Sequence, residues 1–188
     1  MSALQEGQVH IPEGRLSYPK LYEPKAAKGD PNSKPRYGCK ILIPKSDEAT
    51  KAKIDKEIAR LIKAHLKGVK PRSSALPIVD GDGEDGDEYS KGHWVLSANR
   101  AQSQGPPQVV DRQNKAIDSK NASTVYAGCH CDFMVGFFFQ SNWGRICCGL
   151  EIVRKKRDGE SFGAARQAAE EVMPELPDDE EEEAGFGV

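Results

Sequence analysis

Two alternating stretches dominate the chain. In residues 124–140, Cys129, Cys131, Phe133, Val135, Phe137 and Phe139 form one apolar row, while Tyr126, His130, Asp132, Met134, Phe138 and Gln140 form the other. A period of two over so long a run predicts a strand with one face in a core. Residues 36–43 behave alike: Tyr37, Cys39, Ile41 and Ile43 take one face, Arg36, Gly38 and Lys40 the other, and Pro44 ends the strand. Shorter alternations predict strands over residues 9–18, interrupted near Pro12, and over 93–100, where Trp94, Leu96 and Ala98 oppose His93, Val95, Ser97 and Asn99. Another covers residues 145–154, with Ile146, Cys148, Leu150 and Ile152 on one face, and a brief strand is expected at 108–111.

One segment has helical spacing instead. Ile54, Ile58, Leu61, Ile62, His65 and Leu66 make a single stripe. Ser46 offers an N-cap ahead of Asp47 and Glu48, and Gly68 a C-terminal stop. Residues 20–35 and 71–88 read as loops, and residues 141–144 and the Asp158, Gly159 pair as turns. A turn or two of helix is expected within residues 164–173. The sum is a mainly β chain: a small barrel of about five strands with long loops and one helix inserted between the second and third strands.

Charge changes this picture. The chain has 27 basic and 29 acidic residues, a formal net charge of −2. Nine of the acids lie in residues 170–188, which hold no Lys or Arg; without them 20 acids face 27 bases, a net of +7. The expected organisation is therefore a basic domain over residues 1–169 and a disordered acidic tail over 170–188. A basic body implies a polyanionic partner, and the tethered tail a competitor for the same surface or a recruiter of proteins. The longest apolar run, residues 133–139, is far short of the ~20 residues that span a bilayer. Residues 1–7 show no secretory pattern, so a cytoplasmic, membrane-free protein is expected. Five cysteines, with no Cys-x-x-Cys pair, fit that reducing compartment. Cys129, His130, Cys131, Cys147 and Cys148 supply soft ligands, but strand spacing suits tetrahedral zinc poorly, and buried free thiols are expected.

Catalytic motifs are weak. The run from Asp80 to Glu88 resembles a calcium loop until it is counted: from Asp80, position six is Asp85 rather than glycine and position twelve is Lys91 rather than glutamate. A solvated acidic loop is the better account, with a metal-dependent nuclease or recombination enzyme on these carboxylates as the alternative, and a protein-bridging adaptor as a third. His10, His65, His93 and His130 are scattered, and no phosphate-binding glycine loop is present. Basic residues interleaved with aromatics remain. Tyr18 and Tyr22 flank Lys20; Arg36 and Lys40 share a polar row; Lys91 and Arg100 lie near Trp94; Trp143 precedes Arg145; Phe138 falls on the mixed row; Arg112 follows the short strand. Exposed rings that stack on bases beside cations that meet phosphates are the chemistry of single-strand binding. The competing account is that the rings fill the core, as expected for Phe133, Phe137 and Phe139, and that the charges are merely solvated.

Six segments in order are familiar together: residues 40–46 (KILIPKS), 76–82 (LPIVDGD), 92–99 (GHWVLSAN), 109–112 (VVDR), 125–129 (VYAGC) and 144–150 (GRICCGL). The set resembles a phage-encoded family of single-stranded DNA-binding proteins, over about residues 9–163. The resemblance implies an OB-fold, a small Greek-key barrel, with no catalysis and no cofactor. It implies a role in phage DNA replication or recombination in a bacterial host, and a tail that recruits replication proteins. In this chain Phe186 is followed by Gly187 and Val188, a departure from the acidic-Pro-Phe tip of bacterial tails.

Overall fold

The computed structural model describes residues 3–163. The helix expected within 164–173 and the tail at 170–188 lie outside the described residues. Among the described residues seven strands and one α-helix follow in order: β1 Gln8–Lys25, β2 Arg36–Pro44, α1 Glu48–His65, β3 Ile78–Asp80, β4 His93–Ala101, β5 Gln108–Val110, β6 His130–Gln140 and β7 Arg145–Arg157. The sheet order is β3-β4-β2-β1-β6-β7-β5, and a parallel contact between β4 and β7 at Asn99 and Gly149 joins the two arms. Five strands thus close into a barrel in the OB arrangement, with β3 and β5 added at its margins.

The barrel closes because its long strands change parity. β1 places Val9 and Ile11 inward, then slips register between Ile11 and Gly14, after which Leu16 points inward. The slip falls at Pro12, which has no N–H to give to a ladder. A second shift follows Ser17, where Tyr18 takes a φ of 46°, and beyond it Leu21 is buried. The strand therefore runs on to Lys25 rather than ending at residue 18, because Lys20 pairs with Gly38 and Lys25 with Arg36. On β7 the expected inward face also changes. Leu150 pairs with Val135 and Ile152 with Met134, so Glu151 is the extra residue of a bulge. As a result Val153, not Ile152, enters the core, and the strand continues through the basic run to Arg157.

Phe133, Ile11, Leu16, Ile41, Ile43, Leu96, Val135 and Leu150 are fully buried inside the barrel. Truncating a buried phenylalanine such as Phe133 to alanine costs about 3–5 kcal/mol. α1 sets Ile54, Ile58 and Leu61 against this core and contacts β6 and β1. Its N-cap is Asp47 rather than Ser46: Asp47 Oδ1 accepts from the backbone N–H of Thr50 at 3.1 Å, which satisfies a free donor of the first turn. Gly68 ends the helix as expected, with φ of 78° and its N–H donated to Ile62 O. His65 is exposed and stacks on Phe139 at 4.7 Å.

Three further expectations change. Residues 76–80 are not plain loop, since Ile78 and Val79 pair with Leu96 and Val95. The strand read from residue 124 starts at His130, preceded by the 3-10 turns of Ser119–Thr124 and a glycine, Gly128, at φ 108°. Asp132, expected on the outward row, is buried because Arg154 and Lys156 of the paired strand close over it. All five cysteines are free; Cys39, Cys129, Cys131 and Cys148 are buried and Cys147 partly so. Burial pushes the Cys39 thiol up to about 12, which leaves it protonated and inert.

Candidate nucleic-acid interface

A transverse line of paired residues rings the barrel: Lys20 with Gly38, Gly38 with Asn99, Asn99 with Gly149, Gly149 with Gly136, and Gly136 with Gln8. Three of these are glycines. Within a strand pattern glycine weakens the strand and often marks a place where something must approach the backbone closely. Here the space is taken up by neighbours lying flat. A Cβ on Gly38 would meet Asn99 Oδ1 at 2.6 Å, one on Gly136 would meet Glu151 Oε1 at 2.9 Å, and one on Gly149 would touch Phe138 at 3.7 Å.

Asn99, Gly149, Gly136 and Gln8 of this line belong to a groove of about 960 Å³ bounded by β4, β7, the start of β2 and the β6–β7 hairpin. Five residues singled out from sequence line it: Arg36, Arg100, Phe138, Trp143 and Arg145. Phe138 is 48% exposed and Trp143 71%, large apolar areas left open among the described residues. Trp143 is lifted clear of the sheet by the 3-10 turn Ser141–Trp143, which Gly144 ends in the left-handed region at φ 59°. Arg100 donates to Gly105 O and Gln104 O, and Arg145 to Ser74 O. Carbonyl partners aim these guanidinium groups without cancelling their charge. Arg36 is exposed at the end of the same wall.

A second groove, of about 800 Å³, holds Tyr18, Lys40 and Trp94. Its opposite wall is the acidic run. Lys45 bridges Asp80 Oδ1 at 2.7 Å and Asp82 Oδ2, and Asp82 Oδ1 accepts from Gly92 N–H at 2.8 Å. The Lys45 hydrogen bonds hold both carboxyls below their usual range and raise the lysine. Tyr18 donates its hydroxyl to Asp87 Oδ2 at 3.1 Å, which pushes the phenol up, and Lys40 Nζ sits 5.1 Å from its ring. Trp94 packs on the core, its ring faced by Lys51 at 4.4 Å and Lys45 at 5.2 Å. Of the carboxylates in the Asp80–Glu88 run, Asp80, Asp82 and Asp87 are thus bound to the protein's own donors.

The remaining candidates are dispersed. Lys20 stands at the end of the glycine line. Tyr22 is half-buried and donates to Ile117 O at 2.9 Å. Lys91 is exposed on the turn before β4. Arg112 lines a separate hollow with Lys155, Lys156 and Arg157. Sequence reasoning missed Gln8, Asn99, Gln140 and Glu151 of the first groove. For Asn99 and Gln140 the signal was present, since each lies on the polar row of its strand; for Glu151 the bulge hid it.

An OB barrel with a groove of uncompensated arginines and uncovered rings defines the class: a barrel built to take up a polyanion bearing flat rings. The chain belongs to the Enterobacter phage Enc34 ssDNA-binding protein family, which its sequence matches over residues 7–184. Its structure is similar to that of the single-stranded DNA-binding protein from bacteriophage Enc34 solved in complex with ssDNA. The TM-score is 0.74 at 31% identity, over 84% of this chain and 90% of that one. Another structure of the same phage protein gives a TM-score of 0.72 at 31% identity, over 87% of this chain and 88% of that one. A single-stranded DNA-binding protein encoded by bacteriophage T7 shares the fold, with a TM-score of 0.50 at 13% identity over 86% and 97%. No curated protein sequence matches at a significant level.

Proposed function

We propose that the protein binds single-stranded DNA without sequence recognition, in the groove between β4 and the β6–β7 hairpin, and performs no chemistry on it. Arg36, Arg100 and Arg145 meet phosphates, and bases stack on Phe138 and Trp143. The observation that carries this reading is the exposure of those two rings beside guanidinium groups that, among the described residues, pair with no carboxylate. The role that follows is protection of single strands during phage replication or recombination in the cytoplasm of a bacterial host. Lys20, Tyr22, Lys91 and Arg112 lie outside this groove, and Tyr18, Lys40 and Trp94 extend the path only if the acidic run moves aside. Residues 170–188 modulate binding or recruit replication proteins; deleting them should tighten binding at low salt, because tethered carboxylates compete for the same cations.

Titrating the full chain with a thirty-nucleotide single strand, the matching duplex and RNA, while following tryptophan fluorescence, tests the reading. Strong quenching by the single strand alone is expected, with affinity falling steeply as NaCl rises. A partner protein captured by a chain that leaves the single strand free would establish a bridging adaptor instead.

A further inference from the structure

A carboxylate in the middle of a phosphate-binding groove works against its main ligand. Glu6, the other acid at the rim, is paired with Arg60. Among the described residues Glu151 has no such cation. Its Oε2 accepts from Gln8 Nε2 at 2.7 Å, and among the described residues Oε1 receives no hydrogen bond. Two features set this position. The β7 bulge aims the side chain across the sheet, and the missing side chain at Gly136 leaves room for Oε1, which a Cβ there would meet at 2.9 Å.

What lies next to it indicates a ligand. Gly136 and Gly149 are paired, and the Phe138 ring reaches within 3.7 Å of the Cβ site of Gly149. Carboxylate and ring therefore adjoin over one glycine floor. A base stacked on Phe138 presents its edge to Glu151.

We propose, on the basis of the single-strand reading above, that Glu151 is a base-reading residue. Its free oxygen accepts from the exocyclic amines of cytosine, adenine or guanine. Thymine offers no amine and shows two carbonyls around its single N–H, so it is disfavoured at this position. Gln8 is the positioning residue that holds the carboxylate flat. The consequence is a dependence of affinity on base composition, not recognition of a sequence.

Titration of the full chain at pH 8 and fixed salt with dC and dT homopolymers of equal length tests this. The two polymers carry the same phosphate charge, so electrostatic relief from removing Glu151 cancels in the ratio of their dissociation constants. In Glu151→Ala the preference for dC relative to dT should fall roughly tenfold, the effect of one charge-assisted hydrogen bond. Glu151→Gln is close to isosteric and offers an N–H to thymine carbonyls, so it should shift the ratio further towards dT; thermal melts confirm that both variants fold. Equal tightening of both polymers in both variants would make Glu151 a charge brake and overturn the proposal. Failure of the unaltered protein to bind either polymer would instead remove the single-strand reading beneath it.

Discussion

The two grooves lie towards opposite ends of the β2–β4 ladder and are built from similar parts, rings beside cations. Leu76 lines both. They differ in what answers the charge. At the Arg36 end, Arg100 and Arg145 are aimed by backbone carbonyls and the rings of Phe138 and Trp143 stand largely clear among the described residues. At the Lys40 end, Asp80, Asp82 and Asp87 already hold Lys45 and Tyr18, and Trp94 is packed against the core. Residue type alone does not make an interface. A cation counts towards polyanion binding only where the protein has left it uncompensated.

The two tryptophans break this comparison most sharply. Trp94→Ala should cost about 3 kcal/mol of stability, since it removes core packing together with the lysine contacts. Trp143→Ala should change stability by less than about 0.5 kcal/mol and instead weaken single-strand binding by about 1–3 kcal/mol. Denaturant melts and DNA titrations of both variants measure the split; a stability loss at Trp143 would contradict it. Phe138→Ala should weaken binding by about tenfold or more, in line with one lost stacking contact, again with little change in melting.

Smaller effects sharpen the electrostatic side. Arg145→Ala should lower the slope of log affinity against log salt by about one, as one phosphate contact disappears, whereas Lys45→Ala should leave the slope unchanged. Replacing Asp80 and Asp82 by Asn frees Lys45 and should raise low-salt affinity a few-fold, by the same counterion argument. The clamp they form should not respond to pH between 5 and 9. Carboxyls held below their usual range contribute above the unfolded value and lose that contribution only as pH falls through the lowered one. Lys45, raised, loses its contribution only on the alkaline side of the usual lysine value. With Trp143→Phe, Trp94 is the one tryptophan left, and its fluorescence should hold steady across that window.

Much of the barrel was legible in local pattern. The alternations in β2, β4 and β6, and the stripe of α1, place Ile41, Leu96, Phe133 and Ile58 inside as their periods require. Phe138, read as belonging to the mixed row, is exposed for the same reason. Two of the errors fall where a strand slips. Ile152 and Val153 exchange faces across the Glu151 bulge, and β1 passes through three register shifts to reach Lys25, because the register belongs to a pair of strands and not to either one.

The chain by itself determined which residues could serve: a basic body, an acidic end, rings next to cations, and a period of two that makes a barrel. The tertiary structure decided which of them stand open and uncompensated among the described residues. Tyr18 and Trp143 look alike in sequence, each an aromatic beside a cation, yet one hydroxyl is held by Asp87 from a distant loop and the other ring is largely open among the described residues. Alternation is a property of neighbours along the chain, whereas compensation of a charge or covering of a ring depends on what folds over it from elsewhere.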